Sequence, residues 1–351
     1  MRKIFASVLA AAMILSFAAC GGGNAPSSSA PASSAPASSA PAESTPAEST
    51  PEASGDTVKV GIAIYKFDDN FMTLYRNELK RYFEEDLASK NGVTYELTIM
   101  DGKGDQAEQT NQIDGFIASG MDVIICNMVQ SSSAATVVEK CKAADIPVIF
   151  INREPSAEDL ELWDKVAYVG ADARQSGTFQ GEIVLETENK GDFNGDGVIS
   201  YVMIMGDPEN VDAQYRTEFS IKALEDGGMK VEKLFEQRAD WDQAKGQELA
   251  NTALTQFGDQ VEVIFCNNDA MALGAAQAIA ANGRKVGENI YLLGVDALEE
   301  AQQMVKDGEM TGTVLNDHIN QARTAADVAL KALNGETIEK NYTVDYVKVT
   351  G

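Results

Sequence analysis

The stretch SYVMIMGDPENVDAQYRTEFSIKALEDGGMKVEKLFE, residues 200–236, decides the fold. It opens with a short apolar run at residues 200–205 that is typical of a β-strand, and a helical pattern follows at residues 211–227. Residues 230–236 form a second strand-like run. A strand, a helix and a strand in this order predict a βαβ unit with parallel strands and a right-handed crossover.

The same alternation continues along the chain on both sides of this unit. Strand-like runs occur at residues 58–64, 94–100, 123–126, 148–151, 261–266 and 290–295, and helical patterns at residues 70–87, 106–119, 134–144, 241–257 and 268–282. The chain from residue 57 onward is longer than a single hydrophobic core usually accommodates, so we expect it to fold into two lobes. We therefore predict an α/β protein with two Rossmann-like lobes, each built on a parallel sheet.

The N-terminus predicts export from the cytoplasm. Arg2 and Lys3 precede an apolar run at residues 4–17, and small residues lead up to Cys20, as in a secretory signal peptide. The run is too short to act as a stop-transfer helix. Because three glycines follow Cys20, the segment resembles a bacterial lipobox, which makes residues 1–20 a lipoprotein signal peptide and Cys20 the lipid-carrying terminus. The alternative is a signal peptide that merely contains a cysteine.

Residues 21–56 are dominated by Ser, Ala and Pro and contain almost no bulky apolar side chains. Such a segment cannot bury a core, and we expect a disordered tether between the lipid and the folded part. The predicted location is therefore extracytoplasmic, at the cell surface or in the periplasm, with the membrane contacted only through the lipid anchor. A tether of this kind suits the surface of a one-membrane cell somewhat better.

Charge and cysteine content narrow the possible partners. The formal net charge of −26 argues against nucleic acid and anionic membrane surfaces, and favours a neutral or cationic ligand. Cys126 and Cys266 lie in strand-like runs, where cysteine usually acts as a small buried hydrophobe. Together with Cys141 they are odd in number and lack CxxC spacing, which argues against a disulfide framework and against zinc.

Nucleotide and nucleophile motifs are missing from the sequence. No Gly-x-Gly-x-x-Gly follows a strand, and no Gly-x4-Gly-Lys-Ser/Thr occurs. His318 is the single histidine, so any Ser-His or Cys-His machinery would depend on it. We interpret His318 as structural.

A loop at residues 192–200 contains half of a calcium site. Oxygen ligands at loop positions 1, 3 and 5, a glycine at 6 and a carbonyl at 7 are supplied by Asp192, Asn194, Asp196, Gly197 and Val198. An EF-hand closes the cage with a glutamate at position 12, where this chain has Met203 in an apolar run. Two interpretations follow: a solvated turn, or a calcium site completed by a carboxylate from elsewhere.

Polar and aromatic residues gather after the predicted strands, where parallel sheets bind ligands. The candidates are Asp69, Phe71, Asn152, Arg153, Asn210, Asp212, Arg216, Trp241, Asn268, Asp269, Asp296 and Asn316. Planar Asn, Asp and Arg groups suit a ligand with several hydroxyls. Phe71 and Trp241 suit the C–H faces of a sugar ring. The alternative is that each Asn or Asp serves only as a helix N-cap.

On these residues the sequence closely resembles the periplasmic galactose/glucose-binding proteins, which are substrate-capturing subunits of ABC sugar importers in the type I periplasmic-binding-protein superfamily. The resemblance covers essentially the whole folded part and rests on residues 64–72, 152–156, the loop from Asp192, residues 212–217, Trp241, and residues 266–271, 294–297 and 313–317. The superfamily also contains sugar-sensing repressors, but a signal peptide and the lack of a helix-turn-helix exclude that branch.

The resemblance implies roles for individual residues. Sugar hydrogen bonding falls to Asp69, Asn152, Asp212, Arg216, Asn268, Asp296 and Asn316, and stacking to Phe71 and Trp241. A structural Ca²⁺, remote from the sugar, falls to Asp192, Asn194, Asp196, the carbonyl of Val198, Ser200 and Glu262. The resemblance thus implies that Glu262 takes the place of the EF-hand glutamate, and its position at the start of a strand beside residues 200–205 would let it reach the loop.

Three positions depart from the family pattern. Asn210 stands where the family has a sugar-contacting histidine, and Arg153 where it has a lysine; both still donate hydrogen bonds, and both bear on the preference between galactose and glucose. Ser200 replaces a longer glutamine at the calcium loop, which predicts weaker calcium binding. The chain also ends soon after a strand-like run at residues 344–349, so we expect the family's final C-terminal segment to be shortened here.

Together these features lead to one main hypothesis. The protein is a monomer whose N-terminal lobe comprises residues 57–170 and 317–341, and whose C-terminal lobe comprises residues 171–316 and 342–351. It captures D-galactose, D-glucose or both in the interlobe cleft, closes by a hinge, and presents the sugar to the membrane subunits of an ABC importer. Hinge strands are expected near residues 170–172, 316–318 and 342–346.

Two alternatives belong to other functional classes. In the first, the loaded protein signals to a chemoreceptor or a histidine kinase, and the same residues bind the sugar. In the second, the protein is a secreted glycosidase that uses a carboxylate pair such as Asp212 and Asp296. Nothing in the sequence marks such a pair, so we expect a binding protein and not an enzyme.

Overall fold

A computed structural model describes residues 57–351. The predicted signal peptide, the lipidation site Cys20 and the tether at residues 21–56 lie outside the described residues. Within residues 57–351, no helix combines the length and the apolar character needed to cross a bilayer.

Two six-stranded sheets organise the described chain. The first contains β1 (Thr57–Ile64), β2 (Thr94–Asp101), β3 (Val123–Cys126), β4 (Val148–Ile151), β5 (Val166–Gly170) and β11 (Asn341–Thr343), in the order β11-β5-β4-β3-β1-β2. The second contains β6 (Val198–Met205), β7 (Lys230–Arg238), β8 (Val263–Cys266), β9 (Tyr291–Leu293), β10 (Gly312–Leu315) and β12 (Val347–Thr350), in the order β12-β10-β9-β8-β6-β7. Neighbouring strands are parallel except β10 and β12.

Helices cover both sheets. The first sheet carries α1 (Asn70–Arg81), α2 (Ala88–Asn91), α3 (Gln106–Ala118), α4 (Ala134–Ala144), α5 (Ala157–Leu160) and α11 (His318–Leu333). The second carries α6 (Ala173–Leu185), α7 (Val211–Asp226), α8 (Gln243–Phe257), α9 (Asp269–Ala281) and α10 (Glu299–Asp307). The prediction of two α/β lobes is confirmed.

The central strands are buried on both faces, as the continuous apolar runs in the sequence predict. Every residue of β3, β4 and β8 is buried. Cys126 and Cys266 lie inside β3 and β8 with no solvent exposure, and the burial of their thiols raises the pKa of both. These cysteines are therefore part of the cores.

The helix predicted at residues 70–87 is interrupted. The α-helix ends at Arg81, a π-helical turn spans Tyr82–Leu87, and α2 follows. Leu79, Phe83 and Leu87 are spaced four apart and all are buried. Residues at this spacing share one face of a helix, and all three side chains stay on the core side through the interruption.

The chain crosses between the sheets three times, within the segments predicted as hinges. The crossings join β5 to α6, β10 to α11, and β11 to β12. At the third crossing the predicted lobe boundary between residues 341 and 342 is wrong by two residues. Tyr342 and Thr343 pair with β5 in the first sheet, so the crossing begins after Thr343.

Candidate ligand-binding site

A cavity lies between the carboxyl ends of the two sheets, with an empty volume of about 320 Å³ including its mouth. Its lining contains eleven of the twelve candidate side chains: Asp69, Phe71, Asn152, Arg153, Asn210, Asp212, Arg216, Trp241, Asn268, Asp296 and Asn316. The twelfth, Asp269, lies outside the lining and accepts hydrogen bonds from Leu298 and Thr313. Tyr65 and Met72 complete the lining and were not predicted.

Three of these residues cap helices and face the cavity at the same time. The side-chain oxygens of Asp69, Asn210 and Asn268 accept from the N–H groups at the starts of α1, α7 and α9, at 2.7, 3.1 and 3.0 Å. Capping uses one oxygen and leaves the amide NH₂ group of each asparagine for other partners. The capping interpretation and the binding interpretation are therefore compatible.

Arg216 lines the cavity, and two of its three guanidinium nitrogens donate hydrogen bonds to the protein. Its Nη1 donates to the carbonyl of Asn267 at 2.7 Å, and its Nη2 donates to the hydroxyl of Tyr346 at 3.0 Å. Its Nε is buried and has no hydrogen-bond partner among the described residues. Since an unpaired buried donor is costly, this atom calls for a ligand acceptor.

Arg153 shows the same pattern from the other lobe. Its ring partner is Tyr65, with the guanidinium 3.9 Å from the ring centroid, and its Nη1 donates to the carbonyl of Val129 at 2.6 Å. The same Nη1 pairs with Asp207 Oδ2 at 3.2 Å. Its Nε is also buried without a partner among residues 57–351. Two arginines that line the cavity, one from each lobe, thus each keep one buried N–H group without a partner among the described residues.

Two buried carboxyl groups stand near Arg216. Burial raises the pKa of Asp212 to about 6, although Arg216 at 3.8 Å acts to lower it. Burial likewise raises the pKa of Asp296 well above its usual value, and Arg216 opposes this shift. Asn316 donates to Asp296 at 3.2 Å and accepts from Gln321 at 2.5 Å, which fixes its amide orientation. Hydroxyl donors from a ligand would stabilise both carboxylates.

The aromatic residues are supported from behind. The ring of Phe71 packs edge-on against Tyr75 and His318, with centroid distances of 6.1 and 6.4 Å. His318 therefore supports the cavity wall, in keeping with a structural role. A Cβ placed on Gly206 would lie 2.2 Å from the ring of Trp241, so glycine is needed where this ring approaches the backbone.

Backbone strain is concentrated around the cavity. Asn152, Trp241 and Asp296 have positive φ angles of 62°, 67° and 121°. Such conformations are unfavourable for residues other than glycine, and they commonly occur where a binding site needs a side chain in one orientation. The hydroxyl of Tyr168 and the amide of Asn127 hold Asn152 in place, at 2.9 and 3.1 Å.

Asp207 is a further functional candidate that the sequence interpretation missed. It follows β6 in the second lobe, and its ion pair with Arg153 of the first lobe spans the cleft. Asp207 lies two residues beyond the strand end, so the strand-end rule applied to β6 would have found it. Tyr346 was missed because it lies in the third crossing, behind Arg216.

The loop at residues 192–200 lies at the other end of β6. Its own backbone satisfies its side chains: Asp192 accepts from Gly195 and Gly197 at 2.7 and 2.9 Å, Asn194 from Asp196 at 2.8 Å, and Asp196 from Val198 at 2.9 Å. Gly195 and Gly197 have φ angles of 75° and 85°, which glycine adopts without strain. The loop is therefore shaped by its sequence.

Glu262 reaches this loop from the start of β8. Its carboxylate accepts from the N–H groups of Phe193, Asn194 and Ser200 at 2.8, 3.1 and 2.8 Å. The structure thus brings Glu262 together with Asp192, Asn194, Asp196, Val198 and Ser200, as the resemblance implies. The donor set consists of oxygens only, the chemistry that Ca²⁺ prefers. Within residues 57–351, however, no three His, Cys, Asp or Glu side chains are arranged to hold a metal.

The fold and the interlobe cavity define a class of protein. Residues 60–337 match the family model of the periplasmic binding protein domain, and the chain belongs to this family. It is 34% identical over 283 residues to the D-galactose/methyl-galactoside binding periplasmic protein MglB of Haemophilus influenzae, covering 80% of this chain and 82% of that protein. It is 35% identical over 301 residues to a putative rhizopine-binding protein of Rhizobium meliloti, covering 85% and 91%.

Solved structures agree with this assignment. An ABC transporter solute-binding protein from Bacillus halodurans with bound myo-inositol aligns with a TM-score of 0.71 and 29% identity, over 85% of this chain and 95% of that one. The chain is accordingly a solute-binding protein and not an enzyme, and the glycosidase alternative is set aside.

Proposed function

We propose that the protein captures a monosaccharide, D-galactose or D-glucose, outside the cytoplasm and delivers it to an ABC importer. The observation that carries this proposal is a pair of arginines, Arg153 and Arg216, that line the same cavity from opposite lobes and whose buried Nε atoms have no hydrogen-bond partner among residues 57–351. Ligand oxygens would satisfy both atoms only when the lobes are closed around the ligand.

The polar groups of the cavity suit a neutral polyhydroxylated ring. Asp69, Asp212 and Asp296 offer acceptors, while Arg153 and Arg216 offer donors, so the cavity carries both signs of charge. A sugar hydroxyl can donate to a carboxylate and accept from a guanidinium at once. An anionic ligand would face an excess of carboxylates.

The similarity to a relative named for galactose favours a six-membered sugar over other polyols as the ligand. The Haemophilus influenzae relative is named for D-galactose and methyl-galactoside, and the similarity covers most of both chains. Other relatives are named for rhizopine and for ribose, which share the polyhydroxylated character. Asn210 and Arg153 stand inside the cavity, and their lengths and donor geometry are proposed to set the choice between galactose and glucose.

Capture is proposed to work by hinge closure. Each lobe contributes part of the cavity, so an open protein presents two half-sites and a closed one surrounds the ligand. The Arg153–Asp207 ion pair joins the lobes in the closed form at 3.2 Å. Closure removes water from the ligand's hydrogen bonds, which strengthens them, and gives the importer a surface that differs from the open form.

The location is proposed to be the outer face of the cell membrane. Family membership agrees with an extracytoplasmic protein, and the lipidation of Cys20 and the tether at residues 21–56 are proposals from the sequence. The membrane subunits of the importer are the proposed partners. Deletion of the gene followed by a sugar-uptake assay would separate transport from signalling, because loss of uptake supports an importer role.

We further propose that the loop at residues 192–200 binds a structural Ca²⁺ ion. The holding groups are Asp192, Asn194, Asp196, the carbonyl of Val198, Ser200 and Glu262. When bound, calcium would neutralise the carboxylates gathered here. The chain's own contribution is the loop shape, which Glu262 already fixes through three backbone N–H groups.

Isothermal titration calorimetry tests the proposed function. The protein is titrated with D-galactose, D-glucose, D-ribose, D-allose and myo-inositol under the same conditions. We expect one-to-one binding, with D-galactose or D-glucose the tightest of the five. Tightest binding by one of the other three would replace the proposed ligand, and no heat with any of them would contradict sugar capture.

A further inference from the structure

A second cavity adjoins the ligand cavity at the rim of the cleft, with an empty volume of about 490 Å³ including its mouth. We call it the outer cavity. One wall is the β1–α1 loop of the first lobe, residues 65–70, and the other is the β7–α8 segment of the second lobe, residues 240–243, with Ala270 between them. Because both lobes contribute, the outer cavity takes shape together with the closed cleft.

The two cavities share walls. Tyr65, Asp69 and Trp241 line both of them. A ring bound in the inner cavity therefore has its Trp241 and Asp69 side directed toward the outer cavity. A group attached to the ring on that side would point toward the outer cavity.

The shared walls are held firmly. Asp240 and Trp241 both adopt positive φ angles, 55° and 67°. The carboxylate of Asp240 accepts from Arg238 and Lys245 at 2.6 and 2.7 Å; burial acts to raise its pKa, but these two cations lower it overall. On the other wall, Tyr65 is buried and donates to Asp69 at 2.6 Å. The outer cavity is consequently a formed space between fixed walls.

The lining selects against negative charge. Asp68, Asp240 and Asp242 line the outer cavity together with a single lysine, Lys66, which pairs with Asp68 at 3.1 Å. Asn70 and Gln243 add uncharged side chains that can donate and accept hydrogen bonds. An uncharged group with hydroxyls fits this lining, and a carboxylate or phosphate would meet repulsion.

From this geometry we propose that the outer cavity is a subsite for a second, uncharged ring linked to the sugar in the inner cavity. The protein's ligands then include small neutral disaccharides and aryl glycosides as well as free monosaccharides. The inference rests on the proposed function, because it requires a sugar in the inner cavity. A ring is favoured over a smaller substituent because the outer cavity is larger than the inner one.

The test compares free sugar with its ring-bearing glycosides. The protein is titrated with D-galactose and D-glucose, and then with lactose, melibiose, cellobiose and the phenyl glycosides of both sugars. Gln243→Trp fills the outer cavity from the second lobe, and Asn70→Trp fills it from the first. If one variant fails to fold, the other can still be measured. Gln247→Trp is the matched control, since Gln247 is exposed one turn along the same helix and outside the lining.

We expect at least one ring-bearing glycoside to bind within about tenfold of its parent monosaccharide, and either filled variant to weaken that glycoside by about tenfold or more. Monosaccharide affinity should change by less than about twofold in the filled variants, and the control should leave both affinities unchanged. Monosaccharide binding with no glycoside binding overturns the inference and leaves the proposed function standing. If each filled variant that folds affects both ligands equally, or affects neither, the inference is also overturned. If the unmodified protein binds none of these sugars, both proposals are overturned.

Discussion

The ligand cleft and the loop at residues 192–200 lie at opposite ends of β6, and they satisfy their polar groups in opposite ways. In the cleft, the Nε atoms of Arg153 and Arg216 are buried without partners among the described residues. In the loop, the side chains of Asp192, Asn194 and Asp196 accept from nearby backbone N–H groups. The cleft is incomplete without a ligand, whereas the loop is already hydrogen-bonded.

This difference shows what each motif can support. Buried donors and carboxylates in the cleft carry a free-energy cost that a hydroxylated ligand removes, so the structure itself favours ligand binding there. The loop brings together oxygen atoms that could coordinate a metal ion, but these oxygens already accept hydrogen bonds from the backbone. We therefore expect changes in the cleft to alter sugar affinity strongly, and changes in the loop to alter stability. The predictions below are ordered by their effect on sugar affinity.

The largest effect is expected from Arg216→Lys. Lysine keeps the charge but cannot donate to Asn267, Tyr346 and a ligand in the forked geometry of arginine. Sugar affinity should fall by about 100-fold or more. Calorimetric titration measures this, with Arg174→Lys as the control, because Arg174 stacks on Tyr215 outside the cavity lining. Equal affinities in Arg216→Lys and the unmodified protein would contradict the role given to Arg216.

Acid should weaken sugar binding by a smaller factor. Burial raises the pKa of Asp212 to about 6 and the pKa of Asp296 well above its usual value, and sugar hydroxyls donate to the ionised forms. Binding then lowers both pKa values, so affinity should fall by about tenfold between pH 7.5 and pH 5. Titrations in buffers of different ionisation enthalpy should show proton release on binding below pH 6.

Without ligand, the sign of the pH effect on stability is the reverse. Because the folded-state pKa values are raised, the contribution of Asp212 and Asp296 to the free energy of unfolding is greatest below their unfolded-state pKa values. For Asp212 it is lost as the pH rises through about 6. Sugar affinity that stays constant from pH 7.5 to pH 5 would contradict ionised carboxylates as hydroxyl acceptors.

Asp207→Asn should have a moderate effect. It removes the charge that pairs with Arg153 across the cleft while keeping an oxygen acceptor, and Asp207 is partly exposed. The closed form should lose some stability, and sugar affinity should fall by about threefold to tenfold. Asp226→Asn is the control, because Asp226 forms an exposed ion pair with Lys222 at the end of α7, in the same lobe and outside the cavity lining. Identical affinities in Asp207→Asn and this control would remove the ion pair from the account of closure.

Calcium removal should affect sugar affinity least. A chelator should lower the melting temperature by about 5–10 °C if calcium is present at about 100 times its dissociation constant. Sugar affinity should change by less than about twofold, because β6 spans eight residues, or about 25 Å, between the loop and the cleft. Differential scanning calorimetry with and without calcium measures the first quantity.

Asp196→Asn separates the ion from the loop's own hydrogen bonds. Asparagine keeps the oxygen that accepts from Val198 but removes one negative charge, so the melting temperature should respond less to calcium. Asp259→Asn serves as the control, since Asp259 is fully exposed in the same lobe. A melting temperature that does not depend on calcium in the unmodified protein would contradict the calcium proposal.

The cavity lining could be predicted from the sequence because parallel strands place their carboxyl ends at one edge. Asn152, Asn268 and Asp296 were found in this way, each just beyond an apolar run. Tyr65 and Met72 were missed, since both continue apolar patterns and resemble core residues. The contacts of the Arg153 guanidinium with Val129, Asp207 and Tyr65 could not be predicted either, because they depend on packing between distant segments that hydrophobic periodicity does not encode.

Contacts between distant segments set the limit of prediction. The residue spacing at 192–200 matches part of a calcium-binding pattern, but only the pairing of β6 with β8 brings Glu262 beside Ser200. Family resemblance supplied that residue. Likewise, the helical pattern at residues 70–87 predicts an uninterrupted helix, because the apolar spacing of Leu79, Phe83 and Leu87 carries no signal of the π turn at Tyr82–Leu87.

The most direct test of the central claim is a crystal structure of the protein with its tightest-binding sugar. The account predicts one sugar ring between the two sheets, with ligand oxygens within about 3.2 Å of Nε of Arg153 and Nε of Arg216. A sugar bound outside the cleft, or one bound in the cleft that leaves both Nε atoms without a ligand oxygen, would contradict it.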